Sequence, residues 1–142
     1  MIRPYDAVEG LTQRVIRCAI EVHRELGPGL LESPYRDCLL FELVSAGMKI
    51  EHERIVPVTY KGQIVSDALK IDLLVENTLV VEVKAVDSIH PVHLAQVITY
   101  LKLTGHPAGL LLNFNAVTLK AGLRRLDHPD RYKQIKASTP GT

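Results

Sequence analysis

The chain contains no tryptophan, and aromatic residues make up only 5% of its 142 residues. This scarcity argues against an extensive platform for stacking the bases of single strands. The two cysteines, Cys18 and Cys38, have no Cys-x-x-Cys partner, so we expect buried free thiols rather than a zinc ribbon or a redox pair. No apolar run is long enough to span a bilayer, and the charged N-terminus lacks the apolar core of a signal peptide, which predicts a cytoplasmic protein.

Positive charge is unevenly distributed along the chain. The formal net charge is only +1, which by itself gives little reason to expect a nucleic-acid ligand. A strip of basic residues nevertheless follows position 116: Lys120, Arg124, Arg125, Arg131, Lys133 and Lys136. This strip could contact phosphates, although a solvated C-terminal tail is the simpler interpretation.

The length and the ordinary composition, 46% hydrophobic and 23% charged, indicate one domain with a single core. We expect this domain to cover residues 1–136, followed by a loose C-terminal tail at 137–142. Apolar residues recur at spacings of three and four in the stretches that are predicted to be helical: 8–26, 30–46 and 91–104. Strands are predicted at 54–60, 63–75, 79–86 and 108–115. Residues 116–135 fit either a short strand or a helix.

The first three strands follow one another directly, which predicts an antiparallel meander. Lys61-Gly62 joins the first two, because glycine can supply the positive φ of a tight hairpin turn. The strand at 108–115 is nearly all apolar, as expected of a strand that is buried on both faces. These elements together predict an α/β domain with a mixed, largely antiparallel sheet of four or five strands and flanking helices.

The third strand raises a question, because VVEVKAV at 80–86 carries opposite charges in an otherwise apolar stretch. Glu82 and Lys84 are two positions apart, so their side chains share one face of the sheet. If the preceding turn is symmetric about Asn77, Asp72 lies directly opposite Glu82. A turn of two residues would instead move Asp72 to the far face.

Two facing carboxylates repel each other unless a cation lies between them. A divalent metal would resolve the repulsion, and one or two carboxylates completed by water describe a Mg²⁺ site. Lys84 on the same face could orient or deprotonate an attacking water and offset charge on a phosphate. The alternative is a solvated ion-pair cluster on an exposed strand face, and Asp72, Glu82 and Lys84 alone favour that interpretation.

Further motifs extend this pattern over residues 10–126. The pattern of Asp72 followed after nine residues by Glu82-Val83-Lys84 resembles the motif of the PD-(D/E)XK nuclease superfamily. Ile71 occupies the position of the proline that gives this motif its name. The stretch VHRELGPGLLESPY resembles the signature of the small GxxExxY proteins, with its three named positions at Gly29, Glu32 and Tyr35. QVITYLKLTGHPAGLLLNFN is also similar to that family. The resemblance implies a restriction-endonuclease-like core and hydrolysis of phosphodiester bonds in DNA or RNA.

The resemblance also implies roles for individual residues. Glu32 would be the acid of the first core helix, and Lys84 would be the motif lysine. Asp72 and Glu82 would bind Mg²⁺, or Mn²⁺ as a substitute, and the backbone carbonyl of Val83 would complete the metal shell. Two further residues match a Gln-x-x-x-Tyr motif and would contact substrate or support the site: Gln96 and Tyr100.

Each of these residues has an ordinary structural alternative. A carboxylate at Glu32, in the first turn of a helix, is favoured by the helix dipole regardless of catalysis. Gln96 and Tyr100 could form the polar edge of an amphipathic helix. The alternative function is a nuclease-fold module with weak or no activity that binds protein or nucleic acid. The near-neutral charge favours weak or partner-dependent activity, and a homodimer would supply more surface.

The histidines give only weak support for a zinc site. His90 and His93 flank the start of the third predicted helix, but no third soft ligand lies nearby in sequence, which disfavours zinc. His23 matches a histidine of the family signature, and we expect it to be partly buried and hydrogen-bonded.

Overall fold

The computed structural model describes residues 4–130. The predicted tail at 137–142 and the basic residues beyond Asp130 lie outside the described residues, and the predicted domain boundary at residue 136 stays a prediction. The helices are α1 (Pro4–Leu26), α2 (Glu32–Ser45) and α3 (Pro91–Thr104), with a short 3₁₀-helix at Lys120–Gly122. The strands are β1 (Ile50–Tyr60), β2 (Gln63–Val75), β3 (Leu79–Lys84), β4 (Ala108–Asn113) and β5 (Leu123–Asp127).

The five strands form one sheet in the order β1-β2-β3-β4-β5. Neighbouring strands are antiparallel except β3 and β4, which are parallel and are connected through α3. The predicted α/β class, the meander and the mixed, largely antiparallel sheet are therefore confirmed. The stretch after residue 116, which fits either element from sequence, contains both a 3₁₀-helix and an edge strand.

The sheet separates two apolar clusters. Val81 and Val83 of β3 pack on one face with buried residues of α1 and α2. Val80 packs on the other face with Tyr100 and Leu101 of α3. Since successive strand residues point to opposite faces, Glu82 and Lys84 share the face of Val80 and are directed toward α3. Every residue of β4 is buried, as its apolar sequence predicts.

The first hairpin turn of the meander follows the sequence prediction, and the second is the symmetric one of the two turns that the sequence allows. Lys61 and Gly62 have φ angles of 48° and 78° and join Tyr60 directly to Gln63. The second turn has three residues, 76–78, with φ angles of 52° and 50° at Glu76 and Asn77. It pairs Val75 with Leu79, which is the register that brings Asp72 opposite Glu82.

Several predicted boundaries and exposures are wrong. Helix α1 begins at Pro4 rather than at residue 8, and α2 begins at Glu32 rather than at residue 30. Leu31 is an extended cap residue that is 81% exposed, so it does not continue the buried stripe of α2. Strand β1 begins at Ile50 rather than at residue 54, and β3 ends at Lys84 rather than at residue 86.

The expectation of two buried thiols is wrong for Cys38. Cys18 is partly buried, but Cys38 is exposed. The buried stripe of α2 is formed by Tyr35, Leu39 and Leu43, and a helical residue next to Leu39 is rotated by about 100° away from that stripe.

Within residues 4–130, no helix combines the length and the apolar character that crossing a bilayer requires.

Candidate active site

The two acids of the predicted pair lie where β2 and β3 separate. The regular pairing of these strands ends at Leu73 and Val81. Beyond that point the backbone N–H of Asp72 donates to Oε1 of Glu82 at 3.0 Å, and the backbone N–H of Val83 donates to Oδ2 of Asp72 at 2.9 Å. The two carboxylates thus take the place of main-chain acceptors and hold the strands together.

Strand alternation is interrupted at Asp72. Ile71 packs in the cluster on the α3 side, whereas Leu73 packs in the cluster on the α1 and α2 side, although residues two apart normally share a face. The neighbouring strand is also distorted here, since Glu53 has a φ of 53° and makes no regular pair with β2. Asp72 therefore lies at a twist in β2, which periodicity alone does not predict.

Glu82 is only 3% exposed. Burial and, next, the negative charge of Asp72 raise its pKa from 4.5 to about 8, although the hydrogen bond from the Asp72 amide and the charge of Lys84 act in the opposite direction. The charge of Glu32 raises the pKa of Glu82 further. The structure thus brings the three acids and the lysine named from sequence into one electrostatic cluster.

Lys84 is linked to α3 through a polar chain. Its Nζ donates to Oε1 of Gln96 at 3.2 Å, and Nε2 of Gln96 donates to the hydroxyl of Tyr100 at 3.2 Å. Burial raises the pKa of Tyr100, and the charge of Glu82 raises it further. Gln96 and Tyr100 therefore lie on the site side of α3, and Gln96 fixes the direction of the lysine amine.

A second cation, which sequence reasoning missed, reaches the acid pair from α2. Nη1 of Arg36 lies 3.8 Å from Oδ1 of Asp72, the carboxylate oxygen that does not accept from Val83. The sequence signal that could have found it is helical spacing, because Arg36 follows Glu32 by four residues and so lies on the same side of α2.

Tyr35 fixes the loop that leads into Glu32. The hydroxyl of Tyr35 donates to the carbonyl of Gly27 at 2.5 Å and accepts from the amide of Leu30 at 3.1 Å. The ring is fully buried and stacks on Phe114, with centroids 4.8 Å apart. Tyr35 is therefore a structural anchor that holds the start of α2, and with it Glu32, in place.

Two asparagines at the end of β4 connect the surrounding loops. Oδ1 of Asn113 accepts from the amide of Val86 at 3.0 Å, and its Nδ2 donates to the Val86 carbonyl at 2.9 Å. Oδ1 of Asn115 accepts from the amide of Gly29 at 3.1 Å. These bonds tie the chain that follows Lys84 to the loop before α2, and nothing in the local sequence pattern indicated them.

The histidines have structural partners. The backbone N–H of His90 donates to Nδ1 of His93 at 3.0 Å, so the pair caps the start of α3. His23 is partly buried, and its Nε2 lies 2.8 Å from the carbonyl of Ala116, which confirms the expected hydrogen bond.

The acid pair fits a hard divalent cation. Among residues 4–130, no group of three or more His, Cys, Asp or Glu side chains is arranged to hold a metal ion, and Asp72 and Glu82 form a pair of neighbouring carboxylates that a cation would stabilise. Mg²⁺ commonly binds through one or two carboxylates and keeps several waters. Burial and, next, the repulsion between these two carboxylates raise the pKa of Glu82, and a bound divalent ion would offset that repulsion.

A family model of the PD-(D/E)XK nuclease superfamily matches residues 9–126, which is most of the chain. The chain therefore belongs to the PD-(D/E)XK nuclease superfamily. Its α/β fold, with the acid pair and the lysine at the divergence of β2 and β3, is consistent with a PD-(D/E)XK core. No curated protein and no solved structure matches the chain.

Proposed function

We propose that the protein is a metal-dependent nuclease that hydrolyses phosphodiester bonds in nucleic acid, with water as the nucleophile. The observation that carries this proposal is the convergence of Asp72 and Glu82 with Lys84 in a chain of the PD-(D/E)XK superfamily. A mere surface ion-pair cluster does not account for a Glu82 side chain that is 3% exposed, because burying a carboxylate beside another one is unfavourable.

Asp72 and Glu82 would hold the ion, with the backbone carbonyl of Val83 as a further ligand. Bound Mg²⁺ or Mn²⁺ would supply positive charge to the phosphate as negative charge develops on it. Lys84 offsets charge on the same phosphate and orients the attacking water, and Gln96 keeps its amine directed into the site. Because the pKa of Glu82 is raised to about 8, this carboxyl releases a proton when it becomes a ligand, so metal affinity should increase with pH.

Within the superfamily, we assign the chain to the GxxExxY proteins. This assignment is supported by the hydrogen bonds with which Tyr35 anchors the loop before Glu32. They give a structural reason for the spacing of the glycine, the glutamate and the tyrosine in this signature. Glu32 acts on the site through its charge and completes the acidic cluster around Glu82.

Nucleic acid is the partner that superfamily membership implies. A second copy of the chain would add surface for phosphate contacts, which matters because the net charge of +1 supplies little attraction by itself.

We further propose that the protein works in the cytoplasm, as its sequence predicts.

The test is cleavage of labelled single- and double-stranded DNA and RNA by purified protein in Mg²⁺, in Mn²⁺ or in chelator. We expect metal-dependent cleavage that decreases by about a hundredfold or more in Glu82→Gln and in Lys84→Met. Asp37→Asn changes an exposed carboxylate of α2 and should retain the wild-type rate.

Equal cleavage by Glu82→Gln and the wild type would contradict the proposed site. The alternative function, a weak or inactive nuclease-fold module, predicts a different pattern. None of the proteins would cleave any substrate, while the wild type would bind a protein or a nucleic acid tightly with or without metal.

A further inference from the structure

Arg36 occupies a position in the acid cluster that the proposed chemistry does not use. Its guanidinium lies 3.8 Å from Oδ1 of Asp72, and its side chain and that of Asp72 are 24% and 17% exposed. The separation is longer than that of a direct charge-assisted hydrogen bond, which is about 2.8 Å. Arg36 is therefore close enough to neutralise Asp72 and is not locked to it.

The two oxygens of Asp72 have different surroundings. Oδ2 accepts from the backbone amide of Val83, which is part of the rigid sheet. Oδ1 faces the end of a long arginine side chain that extends from α2. A metal ion that binds Asp72 through Oδ1 would therefore compete with a side chain that can move, and would leave the backbone bond intact.

Charge balance indicates which way the competition goes. Among the described residues, Arg36 lies next to Asp72 and the charge of Lys84 acts on Glu82, but Lys84 is already held by Gln96. A divalent ion beside Asp72 would replace the attraction for the guanidinium by repulsion. The arginine would then lie next to a site that binds phosphate, and its planar set of donors matches two phosphate oxygens.

We propose that Arg36 is an exchangeable counter-ion. In the metal-free protein it neutralises Asp72, and on metal entry it is released to contact a phosphate of the bound nucleic acid. This inference rests on the proposed function and adds an order of events to it, because metal binding frees a substrate contact. Arg36 is then a substrate-positioning residue whose contribution depends on the metal.

The first measurement is calorimetric titration with Mn²⁺ alone, which requires no turnover. We expect Arg36→Met to bind Mn²⁺ about tenfold more tightly than the wild type, because the competing charge is gone while an unbranched side chain that packs like the arginine stem is kept. Arg36→Lys should lie between the two. The matched control is Arg17→Met, which removes an exposed arginine of α1 and should leave Mn²⁺ affinity unchanged.

The second measurement is binding of a labelled DNA oligonucleotide by anisotropy, with Lys84→Met in every protein to prevent cleavage. Adding Arg36→Met should weaken binding by about fivefold or more in Mn²⁺ and have little effect in chelator, where the attraction of Asp72 keeps Arg36 away from the phosphate. An effect of the same size in both conditions would overturn the release step. It would indicate an ordinary surface contact.

The outcomes separate this inference from the proposed function. If the wild type binds Mn²⁺ and Arg36→Met binds it equally or more weakly, the counter-ion role is wrong and the nuclease proposal stands. A purely structural role for Arg36 predicts weaker binding, since the acids would be displaced. If neither protein binds Mn²⁺, the metal-dependent function itself fails, and the inference fails with it.

Discussion

Asp72 and Glu82 are joined reciprocally at the point where β2 leaves β3: the amide of Asp72 donates to the Glu82 carboxylate, and the Asp72 carboxylate accepts from the amide of Val83, the next residue after Glu82. Each acid therefore contributes to the cohesion of the sheet as well as to the candidate site. Burial raises the pKa of Glu82, and the negative charge of the nearby Asp72 raises it further. These two consequences can be measured separately.

The stability of the metal-free protein should depend on the protonation of Glu82. Its pKa is raised from 4.5 to about 8 on folding, so between these pH values the folded state holds a proton that the unfolded chain has released. The free energy of unfolding should therefore decrease as pH rises through this range, by at most about 1.4 kcal/mol per pH unit. Urea unfolding from pH 5 to 8.5, in wild type and Glu82→Gln, measures this, and the variant should show a smaller slope.

The control for this experiment is Glu25→Gln, which neutralises an exposed acid of α1 and should keep the wild-type slope. Identical pH dependence in Glu82→Gln and the wild type would contradict a raised pKa at this residue.

Tyr35→Phe should loosen the loop that leads into Glu32 while the ring stays in place. The substitution removes the hydroxyl that bridges Gly27 and Leu30 but keeps the stacking on Phe114. We expect a loss of about 1–3 kcal/mol in the free energy of unfolding and faster hydrogen exchange at the Leu30 amide.

Tyr60→Phe is the matched control for that variant, since Tyr60 is 60% exposed near the tip of the first hairpin. It should change neither quantity. Unchanged protection of the Leu30 amide in Tyr35→Phe would show that the hydroxyl does not anchor the loop.

Gln96→Met should impair turnover much more than stability. The variant breaks the polar chain from Lys84 to Tyr100 and leaves the lysine without its orienting partner. A hydrogen bond to a charged group contributes about 1.5–3 kcal/mol, so we expect cleavage in a single-turnover assay to slow by about 10- to 100-fold.

Gln13→Met alters an exposed glutamine of α1 and should cleave at the wild-type rate. If Gln96→Met keeps that rate while remaining folded, the orientation of Lys84 by Gln96 has no role in the reaction.

The contact between α3 and the sheet depends on the absence of a side chain at Gly109. A Cβ at this position would lie 2.7 Å from Cγ1 of Val97 and 3.3 Å from the carbonyl oxygen of Val80. Gly109→Ala should therefore lower the free energy of unfolding by about 1–3 kcal/mol through overpacking. Thermal or urea unfolding of Gly109→Ala, of Val97→Ala and of the double variant Gly109→Ala/Val97→Ala measures the effect.

Removal of the Val97 methyl groups should relieve most of the clash, so the double variant should be more stable than the sum of the two single changes predicts. Additive losses, within about 0.5 kcal/mol, would mean that the cost arises elsewhere, for instance at the Val80 carbonyl.

The proximity of the acid pair follows from local geometry once the length of the turn is known. A three-residue turn fixes the register of β2 and β3, which brings Asp72 next to Glu82, and the alternation of β3 places Lys84 on the same face as Glu82. Helical spacing likewise predicted that Gln96 and Tyr100 share one side of α3, where they are hydrogen-bonded to each other.

What sequence reasoning missed depends on contacts between distant parts of the chain. Helical spacing puts Arg36 on the same side of α2 as Glu32, but its contact with Asp72 depends on how α2 packs against the sheet, which no local pattern encodes. The bonds from Asn113 to Val86 span 27 positions. At the twist beside Asp72, the side chains of β2 that point to one face of the sheet change to the other face, which strict alternation along a strand does not predict.

The reciprocal bonding of Asp72 and Glu82 also restricts how this fold can change over evolutionary time. A relative of this fold without metal chemistry would still need oxygen acceptors at both positions to join the diverging strands, because an unpaired buried amide is costly. Asparagine and glutamine retain such an oxygen without the charge. Relatives of this chain that lack metal chemistry should therefore carry amides there more often than alanine or an aliphatic residue.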